Sequence, residues 1–598
     1  MANETDTGAE GTSGGLGDVD RWITDTEISP RFPYYTRANA DEVGPEPFSP
    51  LGWSLAWMKG CIPGVANGFV AFGVVEPDEF AVDPPEVFGN WGGYFYNQLS
   101  LPRVMGVRMP GATPEAIDMA YFGDHPGVPP YTPHPDDEND ERSATLAETM
   151  GWAMSTDSFP AQEAASKMAM QHVTDRPDLS AMSNDDLVAR ARDLAGSGLD
   201  DAWTAYCQSA LGASLGPGAV QAICAAIGRG PDAVKVMTAV GGIESADSAV
   251  MMWDLSRLVA NSPALMSEFD AGVDGLLERL DGSSDPAADE FMATWADLIA
   301  THGHRGPNEW DLRAHSWTTK PSMALGMLER MRHQDDAKSP AAAHARGVEV
   351  REQLTTELLA MVEGDAEAHG GLQAGIHSAG VFYGFREMGK NACIRLIHEA
   401  KLALMEVGRR MVEAGTLDDP QQIFMLLDGE VDGFLADPSA MTTTIRERQA
   451  TFEHLATVEP PYIIKLEDGV APISQWPKRG GRHGATANSG DVLQGAMGSP
   501  GVARGTARVV LDPSDPGAIG PGDIMIAPTT DPSWVPLFLA AEGVVVDVGA
   551  VASHAAIMCR ELGIPCAVSV NDATSRIPDG ATIEIDGSTG AVTIVALA

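Results

Sequence analysis

Between Gly543 and Val570 the chain reads GVVVDVGAVASHAAIMCRELGIPCAVSV, a pattern that fits a buried strand, a tight turn, a helix and a second strand. The apolar run from Val544 to Val548 ends at Gly549. Ser553 then opens a helix that Gly563 and Pro565 close. This puts His554 where strand passes to helix, beside backbone N–H groups that no helical carbonyl takes up. A helix N-terminus is a ready anion site, suited to a phosphoryl group carried on an imidazole. Imidazole is well populated in its neutral, nucleophilic form near neutral pH. Two readings of His554 stay open on the residues alone: a nucleophile, or a helix-start histidine that caps or packs.

The passage belongs to a long chain. At 598 residues, two to four domains are expected. With 44% hydrophobic and 21% charged residues, a disordered or fibrous chain is excluded. There are 84 acidic residues against 39 basic, a net charge of -45. Such a field repels phosphate backbones and anionic lipid, so neither nucleic acid nor membrane is an expected partner. The six cysteines form no CxxC pair, which argues against a zinc ribbon or disulfide scaffold and for a reducing, cytoplasmic setting. The first twenty residues lack the basic and apolar regions of a signal peptide. Residues 202–228 carry no charge, but Gly216-Pro217 and several polar residues interrupt them. They predict two buried helices rather than a membrane span.

Changes of texture divide the rest. Residues 1–20 predict a disordered tail. Residues 21–464 predict one large domain: its first part, to about 135, is rich in Pro, Gly and aromatics and predicts short strands. The remainder has helical periodicity. Residues 465–495, with Gly, Pro, Ser and a small basic cluster, predict a flexible linker. Residues 496–598 alternate β-branched runs with turns and predict a compact β/α domain. The expected fold class is thus multidomain α+β, a mostly helical body with a β-containing N-terminal part plus a C-terminal β/α domain. The 27 methionines read as core filler, or as an adaptable lining for an aromatic ligand.

The C-terminal domain resembles the mobile phosphohistidine domain of the phosphoenolpyruvate-utilising enzymes. SPGVARGTARVV (499–510), PGDIMIAP (521–528), TDPSW (530–534), SHAAIMCRELGIP (553–565) and DGSTGAV (586–592) carry the resemblance in order. It implies a swivelling domain with His554 as the phosphorylated histidine; Ala552 stands where the family usually has Thr or Asn. No GxxxxGK[ST] loop occurs. No segment resembles the ATP-grasp domain of phosphoenolpyruvate synthase, and too little chain follows His554 for the ~250-residue phosphoenolpyruvate-binding barrel. The resemblance is nearest to phenylphosphate synthase and related alkylphenol-phosphorylating systems. It implies a separate ATP-grasp subunit that holds ATP and Mg2+, with neither bound by this chain alone.

Weaker resemblances to the acceptor region of rifamycin phosphotransferase and phenylphosphate-synthase-like proteins cover PYYTRANADEVGPEPFSPLGW (33–53), THGHRGPNEWDL (301–312) and the stretch 385–417. A hydroxyl attacking a phosphohistidine needs a proton acceptor and cations on the moving phosphoryl group. His302 and His304 are the candidate bases. Arg305, Glu309, Arg386, Lys390 and Arg37 are the candidate substrate- or phosphoryl-binding residues. An ordinary hydrogen-bonded turn for the histidines, and a salt-bridged helix face for Arg386, Glu387 and Lys390, fit as well. A zinc site on His302, His304, Glu309 and His315 lacks a well-spaced fourth ligand, so no metal is expected.

The expected function is the carrier and acceptor-binding subunit of a two-component ATP-dependent kinase. It would phosphorylate a small aromatic hydroxyl, a phenol or alkylphenol. The alternatives are a rifamycin-type natural-product acceptor and a non-catalytic carrier or interaction module.

Overall fold

The computed structural model describes residues 20–122, 127–479, 485–511, 519–520, 522–530, 534–549 and 553–598. The expected tail lies outside these except for Asp20, and so does Ala552. The molecule is multidomain, a helical body with a small sheet and a C-terminal β/α domain.

In the body, strands β1 (Tyr34–Thr36), β2 (Phe88–Trp91), β3 (Tyr94–Gln98) and β4 (Ile463–Lys465) form an antiparallel sheet in the order β2-β3-β1-β4. Tyr35 is opposite Gln98 on one side and Ile464 on the other, so the two ends of the body are stitched together. A short helix, α1 (Ala40–Val43), follows β1.

The aromatic N-terminal part is not all strands and turns. A π-helical segment, Gly52–Cys61, runs directly into helix α2 (Ile62–Phe72). The stretch hid its helicity because it is buried on most sides, with only Lys59, Asn67 and Ala71 exposed to break the apolar run. Small residues let it sit tight against α3 (Leu199–Ala226): a Cβ on Gly64 would run into Trp203, and one on Gly68 into Cys207. Trp57 joins sheet and helices, its ring centroid 4.5 Å from Phe95 and 5.7 Å from Trp203.

Helix α3 also corrects the reading of 202–228, for it passes through Pro217 without a break. An interior proline costs about 3 kcal/mol. Packing offsets it. Gly212 lies against Phe382, and Gly216 against the backbone at Gly375 and Ala379. The run Asn184–Ala226 is long and apolar enough to cross a membrane by length and composition, but here it packs on α2 and the central helix. Helix α4 (Pro286–His302) leads into the loop bearing Arg305, and α5 (Ala366–Glu413), 48 residues long, is the spine of the body.

The C-terminal domain is an eight-stranded sheet of order β5-β12-β11-β7-β8-β9-β10-β6. The strands are β5 (Val492–Gln494), β6 (Ala496–Ser499), β7 (Val502–Val509), β8 (Asp523–Ala527), β9 (Gly543–Val546), β10 (Cys566–Val568), β11 (Thr582–Asp586) and β12 (Ala591–Ala596). Strands β7 to β10 are parallel, and helix α6 (His554–Leu562) connects β9 to β10. Strand alternation gives the sheet two cores. Ile524 and Ile526 of β8 pack within the domain, while Met525 and Ala527 pack toward α6 and the helical body. All nine residues of α6 are buried. The domain is docked: the Glu561 carboxylate accepts the Val240 N–H at 2.9 Å, and Lys338 pairs with Glu542 at 2.8 Å.

The expected linker is shorter than 465–495. Lys465 pairs with Tyr34 in the small sheet, Trp476 is buried beside Tyr94, and the Arg479 N–H donates to the Thr457 carbonyl. On the other side Ala487 is already bonded to Arg576 in the C-terminal domain. Hydrogen bonds and aromatic packing thus tie both flanks to their domains, and residues 480–484 between them lie outside the described residues.

Candidate active site

His554 opens α6 behind Ser553, the N-cap, whose side chain makes no capping bond. The ring is buried, with Nδ1 3.3 Å from Thr530 Oγ1. Nε2 has no hydrogen-bond partner among the described residues. When Nδ1–H donates to Thr530, the Nε2 lone pair is the one left to attack. Burial, then the charges of Lys390, Arg386 and Arg305, hold the imidazole well below its ordinary pKa. It is therefore neutral, the state a nucleophile requires.

The cations come from two elements of the body. Arg386 and Lys390 stand one turn apart on α5. Arg305 sits in the loop after α4, where its N–H bonds the His302 carbonyl at 3.0 Å and its carbonyl accepts Trp317 N–H at 2.7 Å. That loop folds back so closely that a Cβ on Gly306 would strike the His315 carbonyl. Asp311 ties it to the N-terminal part, accepting Ser49 Oγ–H at 2.7 Å. The three passages 33–53, 301–312 and 385–395 therefore converge on one place, and the docked His554 joins them.

The acidic partners show how the cations are held. Lys390 Nζ lies 3.3 Å from Glu309, and Arg305 lies 3.6 Å from the same carboxylate. Arg386 is 3.1 Å from Glu387. Glu309 is thus a bridge between two cations. The expectation that it binds a phosphoryl group does not hold, since like charges repel.

Arg37 departs from expectation too. Its guanidinium is spent on the Phe95 carbonyl, the Gly44 carbonyl at 2.8 Å and Asp41, and it lies 5.2 Å from the Tyr94 ring centroid. It fastens the turn around α1 rather than facing His554.

His302 and His304 are corrected as bases. Burial and the charges of Arg305 and Arg395 push His302 down to about 3, and His304 well below its usual range. Rings so reluctant to take a proton are poor proton acceptors at neutral pH. Of the cations acting on them, only Arg305 also acts on His554. Among the described residues no group of three or more His, Cys, Asp or Glu side chains is arranged to hold a metal ion.

One residue escaped the sequence reading. Glu42, on α1, turns its carboxylate to the backbone N–H of His554. Burial pushes it up to about 7, against the pull of Arg386 and Lys390. It also lines, with Thr530, a cleft of about 610 Å3 between body and C-terminal domain, walled in part by Met323, Phe452 and Trp534. An acid in a proline-rich turn carries no local signal of such a neighbour.

A histidine with one free nitrogen, on a β/α domain docked against cations of a separate helical body, defines a phosphohistidine-domain architecture. The comparisons agree with this class. The mobile domain of PEP-utilising enzymes matches residues 519–590, which include His554, and the rifampicin phosphotransferase fourth domain matches 203–387, which include Arg305 and Arg386. The C-terminal domain is thus similar to the mobile domain of phosphoenolpyruvate-utilising enzymes, and rifampicin phosphotransferases are among the relatives that the chain matches. An uncharacterized protein of Mycobacterium tuberculosis is 27% identical over 602 residues, covering 96% of this chain and 63% of the relative. Rifampicin phosphotransferase of Streptomyces sviceus is 28% identical over 369 residues, covering 60% of this chain and 40% of its own length. That of Bacillus subtilis is 27% identical over 302 residues, covering 50% and 34%. The chain thus spans less than two thirds of these relatives.

Proposed function

We propose that this chain is the phosphoryl-carrier and acceptor-binding component of an ATP-dependent phosphotransferase that works through a phosphohistidine at His554. The observation that carries the reading is the free Nε2 of His554 at a helix N-terminus, faced by Lys390, Arg386 and Arg305. A phosphoryl group on Nε2 meets three cations, which stabilise charge as it passes to an acceptor hydroxyl. Arg386 and Arg305 can grip its oxygens in pairs; Lys390 supplies a point charge.

Loading needs a different neighbour. We assign it to a separate ATP-grasp subunit carrying ATP and Mg2+, reached when the C-terminal domain leaves its dock. The docked pose is then the transfer state. Six free, buried cysteines support a reducing, cytoplasmic setting.

For the acceptor, two readings have support. A natural-product-sized hydroxyl compound is favoured by the match to the rifampicin phosphotransferase fourth domain and by a cleft of about 610 Å3, within the range that drug-sized ligands fill. A phenol or alkylphenol is supported by the resemblance to two-subunit phenylphosphate synthases. The test is reconstitution: the chain, a candidate ATP-grasp protein and γ- or β-labelled ATP, with phenols and larger aromatic alcohols compared as acceptors. Label on His554 that then moves to an acceptor supports the reading. A chain that takes label from no ATP-grasp partner sinks it in favour of a non-catalytic module.

A further inference from the structure

Phosphoryl transfer to a hydroxyl releases a proton, and the site as built so far has no good place for it. His302 and His304 are too weakly basic, Glu309 already bridges Lys390 and Arg305, and Glu387 is engaged with Arg386. Glu42 stands where the requirements meet. Its carboxylate faces the His554 backbone N–H on one side and is drawn toward Arg386 and Lys390 on α5. It borders the cleft through which an acceptor would approach, as does Thr530, whose hydroxyl lies 3.3 Å from His554 Nδ1. Its short helix is held in place by Arg37, which pairs with Asp41 just before it and donates to the Gly44 carbonyl two residues after it.

We propose that Glu42 is the catalytic proton acceptor for transfer from His554. The proposal rests on the phosphoryl-transfer reading above. In the step, the acceptor oxygen attacks phosphorus, the new O–P bond forms and the P–Nε2 bond breaks. The electron pair of that bond returns to Nε2, leaving neutral imidazole with Nδ1–H on Thr530. The hydroxyl proton passes to the Glu42 carboxylate. An acid held near neutrality suits the task, since it is ionised enough to accept the proton and basic enough to keep it. The charged groups that set its titration are Arg386 and Lys390 on α5 and Asp41 beside it on α1.

The test needs neither partner nor natural acceptor. The full chain is phosphorylated at His554 with potassium phosphoramidate, and discharge is followed by phosphorus NMR in two arms, to water alone and to added phenol. The same chain unfolded in urea gives the background. In the wild type the enzyme-dependent rate rises with pH and levels off near 7. Compared at equal phosphohistidine content, Glu42→Gln discharges about 100-fold more slowly than wild type and loses the pH limb, and Glu42→Asp recovers part of both. If Glu42→Gln discharges within twofold of wild type in both arms with the same pH profile, while His554→Ala takes up no phosphoryl group, the carrier reading stands and the role of Glu42 is overturned. If the wild type ignores phenol yet its Glu42-dependent discharge to water remains, the phenol acceptor fails and Glu42 is supported.

Discussion

His554 and the pair His302/His304 are made of the same materials. Each ring is buried, each is acted on by Arg305, and each is held below its ordinary basicity by burial and neighbouring cations. What separates them is direction. His554 has Nδ1 turned to Thr530, Nε2 left open and a helix N-terminus behind it. His302 ends a helix, where the dipole is negative, and neither of its ring nitrogens has a hydrogen-bond partner among the described residues. Depressed basicity makes a ring neutral; an oriented nitrogen with room for an anion makes it a nucleophile.

The largest expected effect breaks the comparison outright. His554→Ala abolishes phosphoryl uptake and all turnover in the reconstituted system, whereas His302→Ala keeps phosphoryl uptake within a few fold. Equal losses from the two variants would erase the distinction.

Next is the cation that acts most strongly on His554. Lys390→Ala slows transfer from phosphorylated His554 by about 100-fold, the scale of one lost electrostatic contact in a transition state. Single-turnover discharge of the loaded chain measures it, and Lys390→Arg recovers part of the rate.

A third expectation uses stability. His302 takes protons at its ordinary pKa of about 6.5 when unfolded but only near 3 when folded. Its depressed folded value favours the native state above about 6.5 and is a growing liability as pH falls toward 3. By pH 5 the loss is about 2 kcal/mol. Urea unfolding at pH 7 and pH 5 should show this decrement, and His302→Gln should shrink it.

The smallest effect concerns ring orientation. Thr530→Val removes the partner of Nδ1 and slows loading and discharge about fivefold, as expected for one hydrogen bond worth ~1 kcal/mol. Both half-reactions should slow, because ring orientation serves each.

Much of the carrier domain was legible because its signals are local. Val544 to Gly549, Ser553 and Gly563 mark strand, turn and helix within twenty-odd residues, and they place His554 at the helix start. The acceptor side was harder. The helix at 52–72 and the unbroken α3 depend on packing that overrides propensity, and neither glycine contacts nor an offset proline can be read from a window of sequence. Arg37 was a candidate substrate- or phosphoryl-binding residue because it lies in the passage 33–53 that resembles an acceptor region. Here neighbouring carbonyls and Asp41 engage both of its terminal nitrogens.

By itself, then, the sequence determined where His554 stands, at the start of a helix that follows a buried strand, since a strand-to-helix passage is built from neighbours in the chain. The tertiary structure alone decided what surrounds it. Glu42, Arg305 and Lys390 reach His554 from three remote segments, and only domain docking brings them within electrostatic range. Burial is the main cause of both shifts: it disfavours the charged form, raising the Glu42 carboxyl against the pull of Arg386 and Lys390 and lowering the His554 imidazole together with the nearby cations.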